Sequence, residues 1–295
     1  MSVPTIDVAP LVTGTGDADR VAVAIDTACR ETGFFSIVGH GVDPALRARL
    51  DHLAREFFAL DATEKSAIEM ARGGNAWRGW FPVGGELTAG IPDQKEGIYF
   101  GAELPPSNLP LHGPNLFPVR PAGMRQAVLA YLDALTRVGH AVLRGVALAR
   151  GLDENWFATN ITRDPVILFR IFHYPPTPPG DAWGVREHTD YGLLTILGQD
   201  ATGGLQVESR AGWVDVPPDP DAFVCNLGDM LERMTNGEYR STPHRVRNAS
   251  GQGRLSFPFF FDPSWDARVP NHDGTYGEYL VAKVSNVFPQ LKQVL

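Results

Sequence analysis

The stretch REHTDYGLLTIL (residues 186–197) places a histidine and an aspartate one residue apart, just before an apolar run. In a β-strand, side chains two residues apart point to the same face, so His188 and Asp190 would offer an imidazole nitrogen and a carboxylate oxygen to one metal ion. The chain holds 8 histidines and 34 acidic residues among 295, and roughly one such pair is therefore expected by chance. Taken alone, the pair is a weak sign of a metal site.

A third candidate ligand strengthens the metal hypothesis. His244 lies in YRSTPHRVRN (239–248), a second β-like segment that antiparallel pairing could bring beside the first. Two histidines and one carboxylate form the ligand set of non-haem Fe(II) oxygenases, which leaves coordination positions open for oxygen chemistry. A structural zinc site would usually be closed by four ligands, often thiolates, and no cysteine lies close to these residues in sequence.

An arginine and a serine share one face of the next β-like segment, GRLSFPFF (253–260). Arg254 offers a two-pronged guanidinium to a carboxylate, and Ser256 adds a hydroxyl donor. A buried arginine requires an anionic partner, and the apolar residues beyond Ser256 favour burial. The segment therefore predicts a buried anion site, with a solvated or salt-bridged arginine as the alternative.

Composition and charge limit the classes of partner. Hydrophobic residues make up 43% of the chain, enough for a large core, and no apolar run is long enough to span a membrane. The net charge of −8 argues against a nucleic-acid partner, and no pattern indicates a protein partner. Cys29 and Cys225 lie in apolar surroundings and are expected to be buried free thiols. The amino terminus lacks the pattern of a secretory signal, so we expect a cytoplasmic protein.

The first half of the chain has a mixed α/β pattern. Apolar spacing predicts helices over 17–33 and 43–60, the second with an aspartate N-cap, and a short strand over 34–38 between them. A long helix is predicted over 121–151. Residues 73–120 are rich in glycine and proline, and we expect them either to form the wall or lid of a site or to be poorly ordered.

From about residue 165 the pattern changes to short strands separated by glycine, proline, asparagine and aspartate. Such regular short strands are typical of a sandwich or barrel. A last helix is predicted near 275–287. The predicted strands cover residues 166–174, 192–197, 204–208, 212–216, 222–226, 243–247 and 254–261.

In their order and spacing, the motifs of this chain resemble those of the isopenicillin N synthase-like branch of the Fe(II)/2-oxoglutarate-dependent dioxygenases. The resemblance implies an α+β chain with a mainly β core, a distorted double-stranded β-helix (jelly roll) flanked by helices. We expect one globular unit, 1–295, with a helix-rich N-terminal portion (1–160), the jelly-roll dioxygenase core (161–270) and a C-terminal helix (271–295). The matching segments are GFFSIVGHGV (33–42), FRIFHYPP (169–176), HTD (188–190), GGLQV (203–207), NLGDMLERMTNGEYRSTPHRV (226–246) and RLSFPFFFDP (254–263).

The resemblance also implies roles for named residues. The Fe(II) ligands would be His188, Asp190 and His244. The distal carboxylate of 2-oxoglutarate would be bound by Arg254, Ser256 and Tyr174. The chain departs from the family where relatives have an asparagine that helps to seat the cofactor, because Phe172 stands there, and His173 beside it is not expected to bind metal. Phe260, Trp80 and Tyr99 are expected to line the substrate pocket, with core packing as the alternative for Phe260.

The activity that the resemblance implies is the oxidation of a C–H bond in a small-molecule substrate by hydroxylation, desaturation or cyclisation. Fe(II) would be the metal, 2-oxoglutarate and O₂ would be consumed, and succinate and CO₂ would be released. One alternative is an oxidase of the same fold that does not consume 2-oxoglutarate, as in isopenicillin N synthase. A third possibility is a non-catalytic metal-binding or ligand-sensing β-barrel, which would not need vacant coordination sites.

Overall fold

The computed structural model describes residues 3–88, 90–176, 183–248 and 250–287. The helices are α1 (Ala9–Thr13), α2 (Ala18–Glu31), α3 (Pro44–Phe58), α4 (Ala62–Ser66), α5 (Met124–Ala149), α6 (Trp156–Asn160), α7 (Asp229–Met234) and α8 (Tyr276–Val287), and a 3-10 helix spans Met70–Ala76. The strands are β1 (Thr5–Asp7), β2 (Phe34–Val38), β3 (Gly79–Phe81), β4 (Leu87–Thr88), β5 (Ile91–Pro92), β6 (Glu96–Gly101), β7 (Pro165–Tyr174), β8 (Val185–His188), β9 (Leu194–Gln199), β10 (Leu205–Ser209), β11 (Gly212–Val216), β12 (Phe223–Leu227), β13 (His244–Val246) and β14 (Arg254–Ser264).

Two sheets form the core. The larger has eight strands in the order β1-β2-β12-β9-β14-β7-β6-β3, and the smaller has four in the order β11-β10-β13-β8. Apart from the parallel pair β1–β2, the pairings within both sheets are antiparallel. Residues of both sheets line one cavity, so the sheets face each other across it. This arrangement confirms the predicted jelly roll within a chain of mixed α and β content.

Strands from the first part of the chain extend the core sheet on both sides. On one side β1 and β2 join β12, and on the other β6 and β3 join β7. The strand pairs β12–β2 and β6–β7 thus connect segments that are far apart in sequence. The single globular unit and the boundaries near residues 160 and 270 stay predictions, but hydrogen bonds between strands cross the first of these boundaries.

Helices cover the large sheet. The long helix α5 packs on β14 and β9, and α2 and α3 pack on α5. The side chains of Asp17 and Asp43 cap the N-termini of α2 and α3, and Pro44 occupies the first turn of α3. Aspartate and proline are both preferred at these helix positions. The helix bounds confirm the predicted helices, and both cysteines are buried free thiols. Among the described residues, none of the helices combines the length and the hydrophobicity that a membrane crossing requires.

Candidate metal centre and adjoining cavity

The two sheets bring His188, Asp190 and His244 together. His188 ends β8 and pairs directly with His244 on β13, and the two imidazole centroids lie 4.2 Å apart. Both Nε2 atoms lie 3.8 Å from the same oxygen, Oδ1 of Asp190. One potential ligand atom from each residue therefore lies within 4.8 Å of the others, a cluster that could hold a metal ion.

His188 and Asp190 do not lie on one strand, contrary to the prediction from the sequence. The strand β8 ends at His188, and Asp190 lies in the bend before β9. In this bend the chain passes from the four-stranded sheet to the eight-stranded sheet. The carbonyl oxygen of Asp190 accepts the Asp229 N–H (2.8 Å), which ties the bend to α7. The pair converges because of this change of sheet and not because of side-chain alternation.

Hydrogen bonds orient all three side chains. His188 Nδ1 lies 2.8 Å from the carbonyl oxygen of Arg186, and His244 Nδ1 lies 3.2 Å from that of Thr242. A carbonyl can only accept, so each Nδ1 carries a proton, and each Nε2 is the ring nitrogen that faces Asp190. The carboxylate is fixed in a similar way, because one of its two oxygens is occupied. Its Oδ2 accepts hydrogen bonds from Thr195 Oγ1 (2.5 Å) and Asn226 Nδ2 (2.8 Å).

Two members of the cluster, Asp190 and His244, have the protonation states that bind a cation. Burial would raise the pKa of the Asp190 carboxyl, but the charges of His244 and His188 and the hydrogen bonds from Asn226 and Thr195 hold the pKa below its usual value. Burial lowers the pKa of His244 to about 4, and His188 adds to that effect against the attraction of Asp190. At neutral pH the carboxylate is therefore ionised and the His244 imidazole is neutral.

Arg254 forms the second polar cluster, at the start of β14. Its side chain is fully buried, its Nε donates to the Gly203 carbonyl (2.5 Å), and its guanidinium lies over the Tyr174 ring at 4.7 Å. Ser256 Oγ donates to the Tyr174 hydroxyl (3.4 Å) on the paired strand. Within the described residues, Nη1 of Arg254 has no hydrogen-bond partner. A buried donor of this kind calls for an anionic ligand.

The metal cluster and the Arg254 cluster share a cavity of about 430 Å³. Tyr99 and Phe260 line it, and their contact with a substrate stays a prediction. Trp80 is also expected from the sequence to line the cavity but does not do so. Its indole N–H donates to Glu96 (2.9 Å), and Glu96 lies on the opposite face of β6 from Tyr99. The Gly/Pro-rich segment is a wall of this cavity, and its lining residues are Glu86, Leu87, Thr88, Lys95 and Tyr99.

The position of the family asparagine is filled by an apolar ring. Phe172 faces the cavity, and Nζ of Lys95 lies 4.5 Å from the centre of its ring. His173 points to the other face of β7, where its Nδ1 lies 2.9 Å from Glu96 and its ring stacks on Phe58. His173 is thus separated from the metal cluster, as expected.

The sequence reasoning missed Asp262, which joins the metal bend to the C-terminal helix. Its Oδ1 accepts the Leu193 N–H (3.1 Å), and its Oδ2 accepts the Tyr276 hydroxyl of α8 (2.7 Å). Gly192 is required beside it, because a Cβ at this position would lie 1.5 Å from Asp262 Oδ1. Burial raises the pKa of Asp262 to about 7, against the hydrogen bonds from Tyr276 and Leu193.

A jelly roll that holds two histidines and one aspartate at an open cavity defines a non-haem iron oxygenase. Comparison with known sequences specifies the class further. The chain belongs to the 2OG-Fe(II) oxygenase superfamily, whose family model matches residues 165–263. Residues 3–120 match a second model, the N-terminal region of non-haem dioxygenases described from morphine synthesis. The resemblance seen in the motifs is therefore confirmed.

Similar proteins cover nearly the whole chain. A probable iron/ascorbate oxidoreductase of Dictyostelium discoideum is 43% identical over 92% of this chain and 90% of its own length. A homoarginine-6-hydroxylase of Arabidopsis thaliana is 34% identical over 97% of this chain and 98% of its own. The crystal structure of a full-length Neurospora crassa protein in complex with alpha-KG and thymine has a TM-score of 0.84 at 26% identity and covers 96% of each chain. The protein is thus an oxidoreductase that uses Fe(II) and 2-oxoglutarate.

Proposed function

We propose that His188, Asp190 and His244 hold the Fe(II) of this oxygenase. The proposal is supported by the two Nε2 atoms and the one free carboxylate oxygen that converge at the cavity, each oriented by hydrogen bonds at its other end. Three protein ligands leave room on the ion for 2-oxoglutarate and oxygen. The protein keeps these positions open because, within the described residues, the cluster contains no fourth histidine, cysteine or acidic ligand.

Arg254 is the proposed anchor for the distal carboxylate of 2-oxoglutarate, with Ser256 and Tyr174 as further donors. The support is the buried Nη1 of Arg254, which lacks a partner among the described residues while facing the same cavity as the metal cluster. When bound, Fe(II) and 2-oxoglutarate would activate O₂ for attack on a substrate C–H bond, with one oxygen atom going into succinate as CO₂ is released. The residues of the chain would hold the two groups in one cavity.

The proposed substrate is a small molecule that lies against Phe260 and Tyr99. A cavity of about 430 Å³ between the two sheets supports this size class. One relative is named a homoarginine-6-hydroxylase, and one structural neighbour was crystallised in complex with thymine, so similar proteins act on or bind both charged and neutral small molecules. We also infer that the protein acts in the cytoplasm. The two cysteines do not form a disulfide, which supports a reducing compartment.

Succinate release tests the proposed reaction. The purified protein with Fe(II), O₂ and 2-oxoglutarate is expected to form succinate, slowly alone and faster with a substrate, as measured by chromatography beside an oxygen electrode. Oxygen uptake with a substrate but without succinate would instead identify the oxidase that does not consume 2-oxoglutarate. Absence of oxygen uptake with any co-substrate would favour a binding protein and contradict the proposal.

Thr195→Val is expected to weaken metal binding by about 10- to 100-fold, because the Asp190 carboxylate loses one of the two donors that orient it. The affinity can be measured anaerobically by competition against a chelating dye. Thr162→Val is the matched control, since Thr162 is also buried and its hydroxyl has no hydrogen-bond partner among the described residues. Equal affinities in the Thr195→Val and unmodified proteins would show that Thr195 does not orient the ligand.

A further inference from the structure

The cavity contains a second buried guanidinium, that of Arg170 on β7. Arg170 is 9% exposed, lines the cavity and stacks on the Tyr99 ring at 3.5 Å, with the Phe260 ring at 5.6 Å. Arg170 forms a hydrogen bond with Tyr99, and its Nη1 donates a long hydrogen bond to the Phe169 carbonyl (3.4 Å). Its charge is not balanced by a carboxylate at ion-pair distance anywhere in the described ranges.

Two carboxylates that face the same cavity, those of Glu86 and Asp262, already have partners, and a further acidic side chain of the lining, that of Glu187, is exposed to solvent. Glu86 lies 3.0 Å from Nζ of Lys95, and it accepts the Tyr99 hydroxyl at 2.6 Å. Asp262 is bound by the Tyr276 hydroxyl and a main-chain N–H. Burying a cation without a counter-ion is unfavourable, so a ligand that brings a negative charge to Arg170 would be stabilised there.

The position of Arg170 separates it from the 2-oxoglutarate anchor. Arg254 pairs with Tyr174 in the antiparallel register of β14 and β7, and Arg170 lies four residues back along β7. At the rise of a strand this separates the Cα atoms of Arg170 and Tyr174 by about 13 Å, so the two arginines enter the cavity from different points along β7. Arg170 instead lies beside Tyr99 and Phe260, the proposed substrate face.

We propose that Arg170 binds a carboxylate of the substrate, so that the enzyme selects organic acids over their neutral analogues. This inference rests on the proposed function, because it requires Arg254 to be occupied by 2-oxoglutarate. The planar guanidinium matches a carboxylate through two parallel hydrogen bonds, and the Tyr99 ring beneath it fixes the plane. The substrate would then lie with its acid group on β7 and its reactive carbon toward the metal cluster.

The test measures binding to the protein loaded with redox-inert Mn(II) and saturating 2-oxoglutarate, which prevents acids from binding at Arg254. The probes are indole-3-acetate, 3-phenylpropanoate, hexanoate and L-homoarginine, each compared with its primary amide by calorimetry. At least one acid is expected to bind about 10-fold or more tightly than its amide, as charge-assisted hydrogen bonds allow. Arg170→Met should abolish that preference, and Arg170→Lys should restore part of it.

Two controls keep the outcomes distinct. Arg163→Met removes an arginine that is 72% exposed and should leave the acid preference unchanged. The affinity for 2-oxoglutarate is measured in every variant and should not change in Arg170→Met. If the unmodified protein fails to bind 2-oxoglutarate, that result contradicts the proposed function and not the inference about Arg170. The inference is overturned if no acid binds more tightly than its amide, or if the preference persists in Arg170→Met.

Discussion

His244→Ala is expected to abolish succinate formation. It should also weaken metal binding by more than about 100-fold, which is the upper end of the effect of removing a residue that only orients a ligand. The substitution removes one of the two proposed imidazole ligands, and Asp190 and His188 alone do not complete the three-ligand set. Metal affinity by anaerobic titration and succinate by chromatography measure the two effects separately. The same loss is expected for His188→Ala.

A control must separate loss of a ligand from loss of structure. His140→Ala removes a partly buried histidine whose ring packs on Phe261 at 4.8 Å, on helix α5 and outside the cavity. It should lower the free energy of unfolding without changing metal affinity. A His244→Ala protein that is folded by circular dichroism and still binds metal as tightly as the unmodified protein would disprove the assignment of His244.

The sequence predicts most of the framework and the identities of the candidate ligands. Short apolar segments and turn residues identify the core strands, because each segment is buried on at least one face whatever its partner. The spacing of His188, Asp190, His244 and Arg254 is sufficient to indicate an open metal site with an anion site nearby. These predictions depend on local pattern and on residue type.

The remaining features depend on pairings between distant segments. Trp80 and Tyr99 look alike as aromatic residues of one Gly/Pro-rich segment, and only the pairing of β3 with β6 places them on opposite faces. The bend at Asp190 follows from the passage between two sheets, which alternation along one strand cannot reveal. Arg170 carries no sequence signal of its own, since its importance lies in the absence of a carboxylate at ion-pair distance among the described residues.

Arg254→Met is expected to weaken 2-oxoglutarate binding by about 100- to 1,000-fold, which corresponds to roughly 3–4 kcal/mol for removing one partner of a buried ionic contact. Methionine is chosen because the position is fully buried and an apolar side chain of similar length avoids both a cavity and an unpaired charge. Metal affinity should be unchanged, because no contact links Arg254 to the metal cluster among the described residues. Anaerobic calorimetry of the Mn(II) protein measures both affinities.

The comparison variants show whether this effect is specific to the Arg254 site. Arg245→Met removes an arginine of the neighbouring sheet that stacks on Trp213 at 3.9 Å and does not line the cavity, so 2-oxoglutarate affinity should not change. Ser256→Ala should weaken binding by only about 5- to 10-fold, since a neutral donor contributes less than a charged one. If Arg254→Met bound 2-oxoglutarate as tightly as the unmodified protein, the anchor would have to be another cation of the cavity. Arg170 would then be the first to examine, because it is the second guanidinium there that lacks a carboxylate partner in the described ranges.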